Sequence, residues 1–277
     1  AGDQLILFMT FFSLMIMILV YLAKSFILHV VFGRIEPDVM AYSDTYLMIV
    51  TASIPFIALY NCGAALFRVQ GNSLISMLVS ILMNTINVAG NAILIFGFHC
   101  SVEGVAIPTL VSRIVAAFVI LLLLRKQSLT IHISKPFRFE ADWGMIKRIL
   151  QIGIPNGVEN SMFQLGILVL LSLISSFGTV AITANAVSNS VAAFAILPGQ
   201  AIGMALVTVV SQCVGAGSYQ QARYYTKKLL YFTIAAMAVT NLIIIVSLPA
   251  VTWAYQLSAE TAKVTTQILL LHSICAI

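Results

Sequence analysis

Charged residues are scarce in this chain. Only 8% of its 277 residues are Asp, Glu, Lys or Arg, whereas 61% are hydrophobic. A soluble domain carries about 25% charged and about 45–50% apolar residues, so this composition cannot give a folded chain a water-compatible surface. The mean hydropathy of +1.05 points the same way. We therefore expect a protein that works inside a membrane, on something that enters or crosses it.

Clustered reactive side chains are also missing. The four cysteines and four histidines are scattered without metal or redox spacing, so the sequence predicts no metal site. No Walker A sequence, G-x-S-x-G elbow or H-E-x-x-H motif is found, so we predict no catalytic residue, no enzyme and no cofactor. Any transport work would draw on a Na+ or H+ gradient. The basic residues do not cluster on a soluble face, which excludes a nucleic-acid partner.

Long apolar runs, by contrast, fill almost the whole chain. A span needs about 20 mostly apolar residues. Helices are favoured over a membrane β-barrel because runs such as Leu14–Val20 do not alternate apolar and polar residues. The sequence predicts an all-α integral membrane protein, a polytopic bundle in the lipid bilayer. Its eight transmembrane helices lie at about 5–32, 42–67, 74–97, 102–124, 149–177, 181–214, 225–256 and 261–277.

Basic loop residues predict the orientation of these spans. With eight spans, the side that holds the loop 125–148 collects ten Lys and Arg residues, and the opposite side collects two, Arg34 and Lys263. Short cytoplasmic loops carry the excess of Lys and Arg, so the loop 125–148 is expected in the cytoplasm. We predict helical lobes at 1–126 and 149–277, joined by an amphipathic cytoplasmic linker at 127–148.

Few ionisable groups fall within the predicted spans, where a charge costs about 2.5–3.5 kcal/mol. Glu159 follows Pro155 in the fifth span. It is either an ion or cation site or a solvated carboxylate near the end of the span. Lys24 is expected to snorkel towards the headgroups. Arg113 lies deeper and is a candidate to pair with a carboxylate, but Glu103, about three turns away, is too distant on a straight helix to be that partner.

Amides and prolines supply the other polar features of the spans. Amides on one helical stripe either hydrogen-bond neighbouring helices or line a polar path. Two groups are candidates: the amides Asn84, Asn87 and Asn91 on one stripe of the third span, and the amides Asn185, Asn189 and Gln200 with the hydroxyl of Ser188 in the sixth. Proline interrupts five spans, and Pro155 and Pro198 are candidate hinges.

Several short motifs, taken in order, resemble the multidrug and toxic compound extrusion (MATE) family. They cover essentially the whole chain: Leu66–Asn72, Asn84–Asn87 continuing to Leu94–Gly97, Glu103–Ala106, Gly153–Pro155, Leu197–Gly199 and Gln212–Gly217. The resemblance implies a twelve-helix, two-lobe transporter, of which this chain would supply helices three to ten as a fragment. Many members carry an acidic residue about two turns after the proline of helix seven. Phe163 stands there in this chain, and Glu159 lies one turn earlier.

The resemblance implies an antiporter that exports cationic, amphipathic drugs or toxic compounds in exchange for Na+ or H+. Its place would be the inner membrane of a bacterial cell. Glu159 would couple the ion, and Asn160, Gln164, Asn185, Asn189 and Gln200 would line the substrate cavity between the lobes. The alternative is a flippase of the same superfamily for lipid-linked oligosaccharides or precursors. It would need a cationic groove, for which only Lys24 and Arg113 are available.

Overall fold

The computed structural model describes residues 2–26, 28, 37–125 and 143–275, and within them the regular structure is helical. A π-helical turn, Ile93–Gly97, extends the fourth helix. The α-helices are α1 (Gly2–Phe26), α2 (Pro37–Ala52), α3 (Ile54–Val69), α4 (Ser73–Ala92), α5 (Glu103–Leu124), α6 (Trp143–Ser175), α7 (Thr179–Gly215), α8 (Tyr219–Ala254) and α9 (Ala259–Cys275).

Seven helical segments of the described residues are long and apolar enough to cross a bilayer, which confirms the multi-pass helical fold. The second predicted span is formed by α2 and α3 together, over Val39–Val69. The eighth predicted span corresponds to α9, which has 17 described residues and is not among these seven segments. The chain divides into two compact units, Ala1–Gln151 and Ile152–Ile277. Most of the predicted linker at 127–148 lies outside the described residues.

The first unit is held together by close helix approaches at small residues. Helix α5 packs against α2, α3 and α4, and α1 packs against α3. A Cβ atom built on Gly63 would lie 2.8 Å from Cγ2 of Ile120, and one built on Gly90 would lie 2.7 Å from Cβ of Pro108. Lipid tails are as apolar as leucine, so membrane helices associate through such tight packing rather than through water exclusion.

The second unit is built on contacts among three helices. Helix α7 packs against both α8 and α9, and α8 packs against α9. The buried face of α7 is made mostly of small side chains, Ala184, Val187, Ser188, Ala192 and Ala195. Within the described part of this unit, α6 packs against none of these three helices, and nearly all its side chains are exposed.

A similar turn ends α3, α7 and α8. In α3 the N–H of Asn72 donates to the carbonyl of Phe67, and in α7 the N–H of Ser218 donates to that of Cys213, both at 2.9 Å. The residue before each donor has a positive φ, +79° at Gly71 and +72° at Gly217. This is the Schellman ending, which favours glycine. At the end of α8 the same position is held by Gln256, with φ +49°.

The turns that end α7 and α8 predict opposite effects on stability when Gly217 is replaced by glutamine and Gln256 by glycine. Gly217→Gln should lower the stability of the second unit by about 1 kcal/mol, because a side chain in the left-handed region meets the following carbonyl. Gln256→Gly should raise stability by a similar amount for the same reason. Thermal unfolding of the purified protein in detergent tests both, and a fall in the midpoint for Gln256→Gly would contradict this account.

The close approach of α4 to α5 predicts that Gly90→Ala destabilises the first unit. The new methyl group cannot fit beside the rigid Pro108 ring unless the helices separate, at a cost of about 1–3 kcal/mol. Gly166→Ala on α6 is the control, because a Cβ there meets nothing within 4 Å and alanine favours the helix. Thermal unfolding should show a lower midpoint for Gly90→Ala alone; equal midpoints would refute tight packing at Gly90.

Candidate functional site

The side chain of Arg113, on α5, contacts the break between α2 and α3 in the second span. Helix α2 ends at Ala52 and α3 begins at Ile54, so Ser53 sits between them and is fully buried. Nη1 of Arg113 donates a hydrogen bond to Oγ of Ser53 at 2.6 Å. The Ser53 hydroxyl in turn donates to the carbonyl of Val50 at 2.6 Å. The expected carboxylate partner of Arg113 is not found among the described residues; a neutral hydroxyl holds it instead.

The amides of α4 bind across to α5. Nδ2 of Asn87 donates to Oγ1 of Thr109 at 2.9 Å, and the Thr109 hydroxyl donates to the carbonyl of Val105 at 2.8 Å. Nδ2 of Asn91 donates to Oδ1 of Asn87 at 3.3 Å, whereas Oδ1 of Asn91 is buried without a partner. One member of the predicted stripe, Asn87, therefore connects two helices, Asn91 bonds to it within α4, and the third, Asn84, is exposed.

Lys24 forms an ion pair with an acidic side chain of another helix. Its Nζ lies 2.6 Å from Oδ1 of Asp44, and both side chains are about one-third exposed. The Tyr21 hydroxyl, one turn earlier on α1, donates to the carbonyl of Met48 at 3.0 Å. The ion pair joins α1 to α2 and neutralises a positive charge that the sequence had left unpaired. This partner was missed because the charges are 20 residues apart, on different helices.

An open apolar cavity lies in the first unit. Its volume is about 570 Å³, and it is bounded by α2, by Leu28 and by Val102 before α5. Tyr42 and Tyr46, one turn apart on α2, contribute its aromatic wall. This volume is in the range of small-molecule sites, which are about 300–1,000 Å³ and mostly apolar. Sequence reasoning missed this cavity, since its lining looks like ordinary span surface.

The predicted ion and cavity residues of α6 lie on a continuous helix through Pro155. Glu159 and Gln164 are exposed, and neither has a partner among the described residues. Nδ2 of Asn160 is turned back to its own helix, where it donates to Oδ1 of Asn156 at 2.7 Å. The carboxylate of Glu159 is thus free to bind a cation, and its role stays a prediction.

The predicted residues of α7 lie on both sides of Pro198, which is also inside a continuous helix. Asn185 is half-buried, whereas Asn189 and Gln200 are exposed. Since α6 does not pack against α7 in the described residues, these amides are not brought into one site with Glu159. Their role as cavity residues, and that of the prolines as hinges, stays a prediction.

The second unit holds a polar side chain that the sequence analysis overlooked. Asn241 on α8 is fully buried, and neither Nδ2 nor Oδ1 has a partner. Oγ of Ser188 on α7 is buried and unpaired as well. Each such group costs about 1–3 kcal/mol if it stays unsatisfied. The signal was present in the sequence as a lone amide in the apolar run around residue 241.

Comparison with known proteins agrees with this helical architecture. The chain is 26% identical over 239 residues to the uncharacterized transporter YisQ of Bacillus subtilis, covering 84% of this chain and 51% of that protein. It is 26% identical over 222 residues to YoeA of the same organism, a probable multidrug resistance protein, covering 78% and 48% respectively. The chain thus spans about half the length of these curated relatives.

Among solved structures, the fold is similar to a mutant form of the Vibrio cholerae MATE transporter VcmN, with a TM-score of 0.86. The match covers 99% of this chain and 63% of that one at 18% identity, so it shows the fold alone. The sequence profile of the MatE family matches residues 1–93 and 155–277, which are parts of both compact units. The chain therefore belongs to the MatE family.

Proposed function

We propose that this chain forms part of a secondary antiporter in a bacterial inner membrane, and not of an enzyme. It would export cationic, amphipathic organic compounds in exchange for Na+ or H+. The match of the family profile to both helical units carries this proposal. A relative described as a probable multidrug resistance protein supports it.

Glu159 is the group that we assign to ion coupling. It is a carboxylate within the candidate span Ile146–Ser175, and its side chain has no partner among the described residues that would neutralise it. A coupling ion and a cationic drug would compete for this carboxylate. The ion drives transport only if it binds the two access states with different affinity, because equal affinity shifts no equilibrium.

The flippase alternative ranks second on charge. A pyrophosphate headgroup carries more than one negative charge and calls for several cations in one groove. Lys24 is already paired with Asp44. Arg113 then remains as an uncompensated cation at the middle of a candidate span. One guanidinium is a weak match for such a headgroup.

Dye efflux from vesicles that contain the complete protein tests the proposal. A Na+ gradient and a pH gradient are imposed separately, and one of them should drive efflux. Glu159→Gln should reduce gradient-driven efflux about tenfold or more, the equivalent of one lost charge-assisted contact. Glu260→Gln, which removes the same charge at the start of α9, should leave efflux unchanged. If neither gradient drives efflux of the unaltered protein, the antiporter proposal is wrong.

A relocated carboxylate separates a chemical role of Glu159 from a structural one. Phe163 lies one turn after Glu159 on the exposed surface of α6, at the position where the MATE resemblance implies an acidic residue. In the double variant Glu159→Gln with Phe163→Glu, the lost coupling should return in part, because the charge stays on the same helix face. The control pairs Glu159→Gln with Phe163→Gln and should not recover. Equal efflux in both double variants would show that a carboxylate at this face is not what couples transport.

A further inference from the structure

Arg113 is a guanidinium at mid-span whose charge is not compensated by any described residue. It is the eleventh of the 22 residues of α5, so about 15 Å of helix lies on either side of it. Charged side chains at this depth are rare, and they pair with one another or face a cavity. The side chain of Arg113 is only half-buried, so part of it stays open.

The nearby acidic side chains do not supply the counter-charge. Asp44 is engaged with Lys24. Glu103 begins the helix that carries Arg113, ten residues and about 15 Å away along the axis. Ser53, the hydrogen-bond partner of Arg113, is neutral. The positive charge at the break between α2 and α3 is therefore open to an anion from outside the described chain.

The hydrogen bonds around Ser53 orient this guanidinium. The Ser53 hydroxyl donates a hydrogen bond to the carbonyl of Val50, so its oxygen accepts one from an N–H of Arg113. Ser53 is fully buried, so it holds that N–H in a fixed place. A guanidinium has five N–H donors in a planar fork that matches the two oxygens of a carboxylate or phosphate. The remaining donors have no partner among the described residues.

We propose that Arg113 binds the oxyanion group, a carboxylate or phosphate ester, of an amphipathic ligand, and that Ser53 is its positioning residue. This subsite goes beyond the export of cations, because it recognises a group of opposite charge in the first unit. It holds whether or not Glu159 couples an ion.

Two fluorescent probes with one tail and opposite charge test the subsite. The protein in phosphatidylcholine nanodiscs is titrated with dansyl-aminoundecanoate and with the matching dansyl-aminoundecyl trimethylammonium. Arg113→Gln should raise the Kd of the carboxylate probe about tenfold, which corresponds to about 1.4 kcal/mol. The Kd of the ammonium probe should not rise. The Kd of the carboxylate probe for Arg113→Lys should lie between the values for the unaltered protein and for Arg113→Gln. The lysine ammonium keeps the charge but lacks the planar fork of N–H donors.

Arg68 provides a matched control. Its Nη1 also donates to a serine hydroxyl, Oγ of Ser76 at 3.2 Å, but it lies in the last turn of α3 at the end of a span. Arg68→Gln should leave the carboxylate probe unaffected. If Arg68→Gln weakens binding as much as Arg113→Gln does, or if Arg113→Gln changes nothing, the proposal is overturned. Unchanged thermal unfolding of each variant confirms that it is folded.

The role of Ser53 is tested by the conservative pair Ser53→Ala and Ser53→Thr. Loss of the hydroxyl in Ser53→Ala should weaken binding of the carboxylate probe several-fold without weakening binding of the ammonium probe. Ser53→Thr should retain affinity for the carboxylate probe because threonine keeps the hydroxyl acceptor. A structural role alone would change both probes together. Equal affinity of the alanine and threonine variants for the carboxylate probe would remove Ser53 from the site.

Competition distinguishes the two sources of an oxyanion. Phosphatidylglycerol in the nanodisc offers a lipid phosphate with a net negative charge, which zwitterionic phosphatidylcholine lacks, whereas octyl phosphate offers a free amphipathic solute. Displacement of the carboxylate probe by phosphatidylglycerol assigns the site to a lipid headgroup, and displacement by octyl phosphate alone assigns it to a solute. If neither displaces the probe, Arg113 does not bind a phosphate ester, and that part of the proposal is wrong.

Discussion

Hydrocarbon offers no hydrogen-bond partner, and this constraint orders the described structure. Each backbone amide in a span must bind within its own segment, so helices are the spanning form available here. Hydroxyl groups follow the same rule. The side chains of Thr10, Thr109 and Thr265 donate to the carbonyl four residues earlier. Most polar groups of the spans are thus paired within one helix, and those that are not stand out.

Association of the helices then depends on fit. Hydrophobicity does not hold one span to another in lipid, so small residues decide where two backbones approach. Gly63 and Gly90 lie at such approaches to α5. A larger side chain at either position would prevent the close approach of the helices. The hydrogen bond from Asn87 to Thr109 and the ion pair from Lys24 to Asp44 add polar contacts between particular helices. These polar contacts specify which helices are neighbours, because apolar packing alone does not distinguish one helix from another.

The sequence predicts the spans well and their partners poorly. Bilayer thickness sets a length of about 20 apolar residues, so each predicted span overlaps described helix. The helix ends differ from the predicted ends by up to six residues where the structure describes them. Helical periodicity tells which residues share a face, as with Asn87 and Asn91, but not which helix that face meets. Ser53 and Arg113 are 60 residues apart, and nothing local in the sequence connects a buried serine to that arginine. The break at Ser53 was missed because a proline within a span, here Pro55, permits a bend without fixing where the helix ends.

Each unit contains an uncompensated group within a span, and the two groups have opposite charge. Arg113 in the first unit has only a hydroxyl partner, and Glu159 in the second has none among the described residues. An empty charged site carries its desolvation cost in every conformation that shields it from water. A ligand that neutralises the group therefore favours the shielded conformation over the open one, which is the differential binding that alternating access requires. Under the two proposals made above, a purely cationic ligand would neutralise Glu159 and leave Arg113 unpaired, whereas a ligand with an oxyanion would do the reverse. The two proposed sites would then select for ligands of opposite charge.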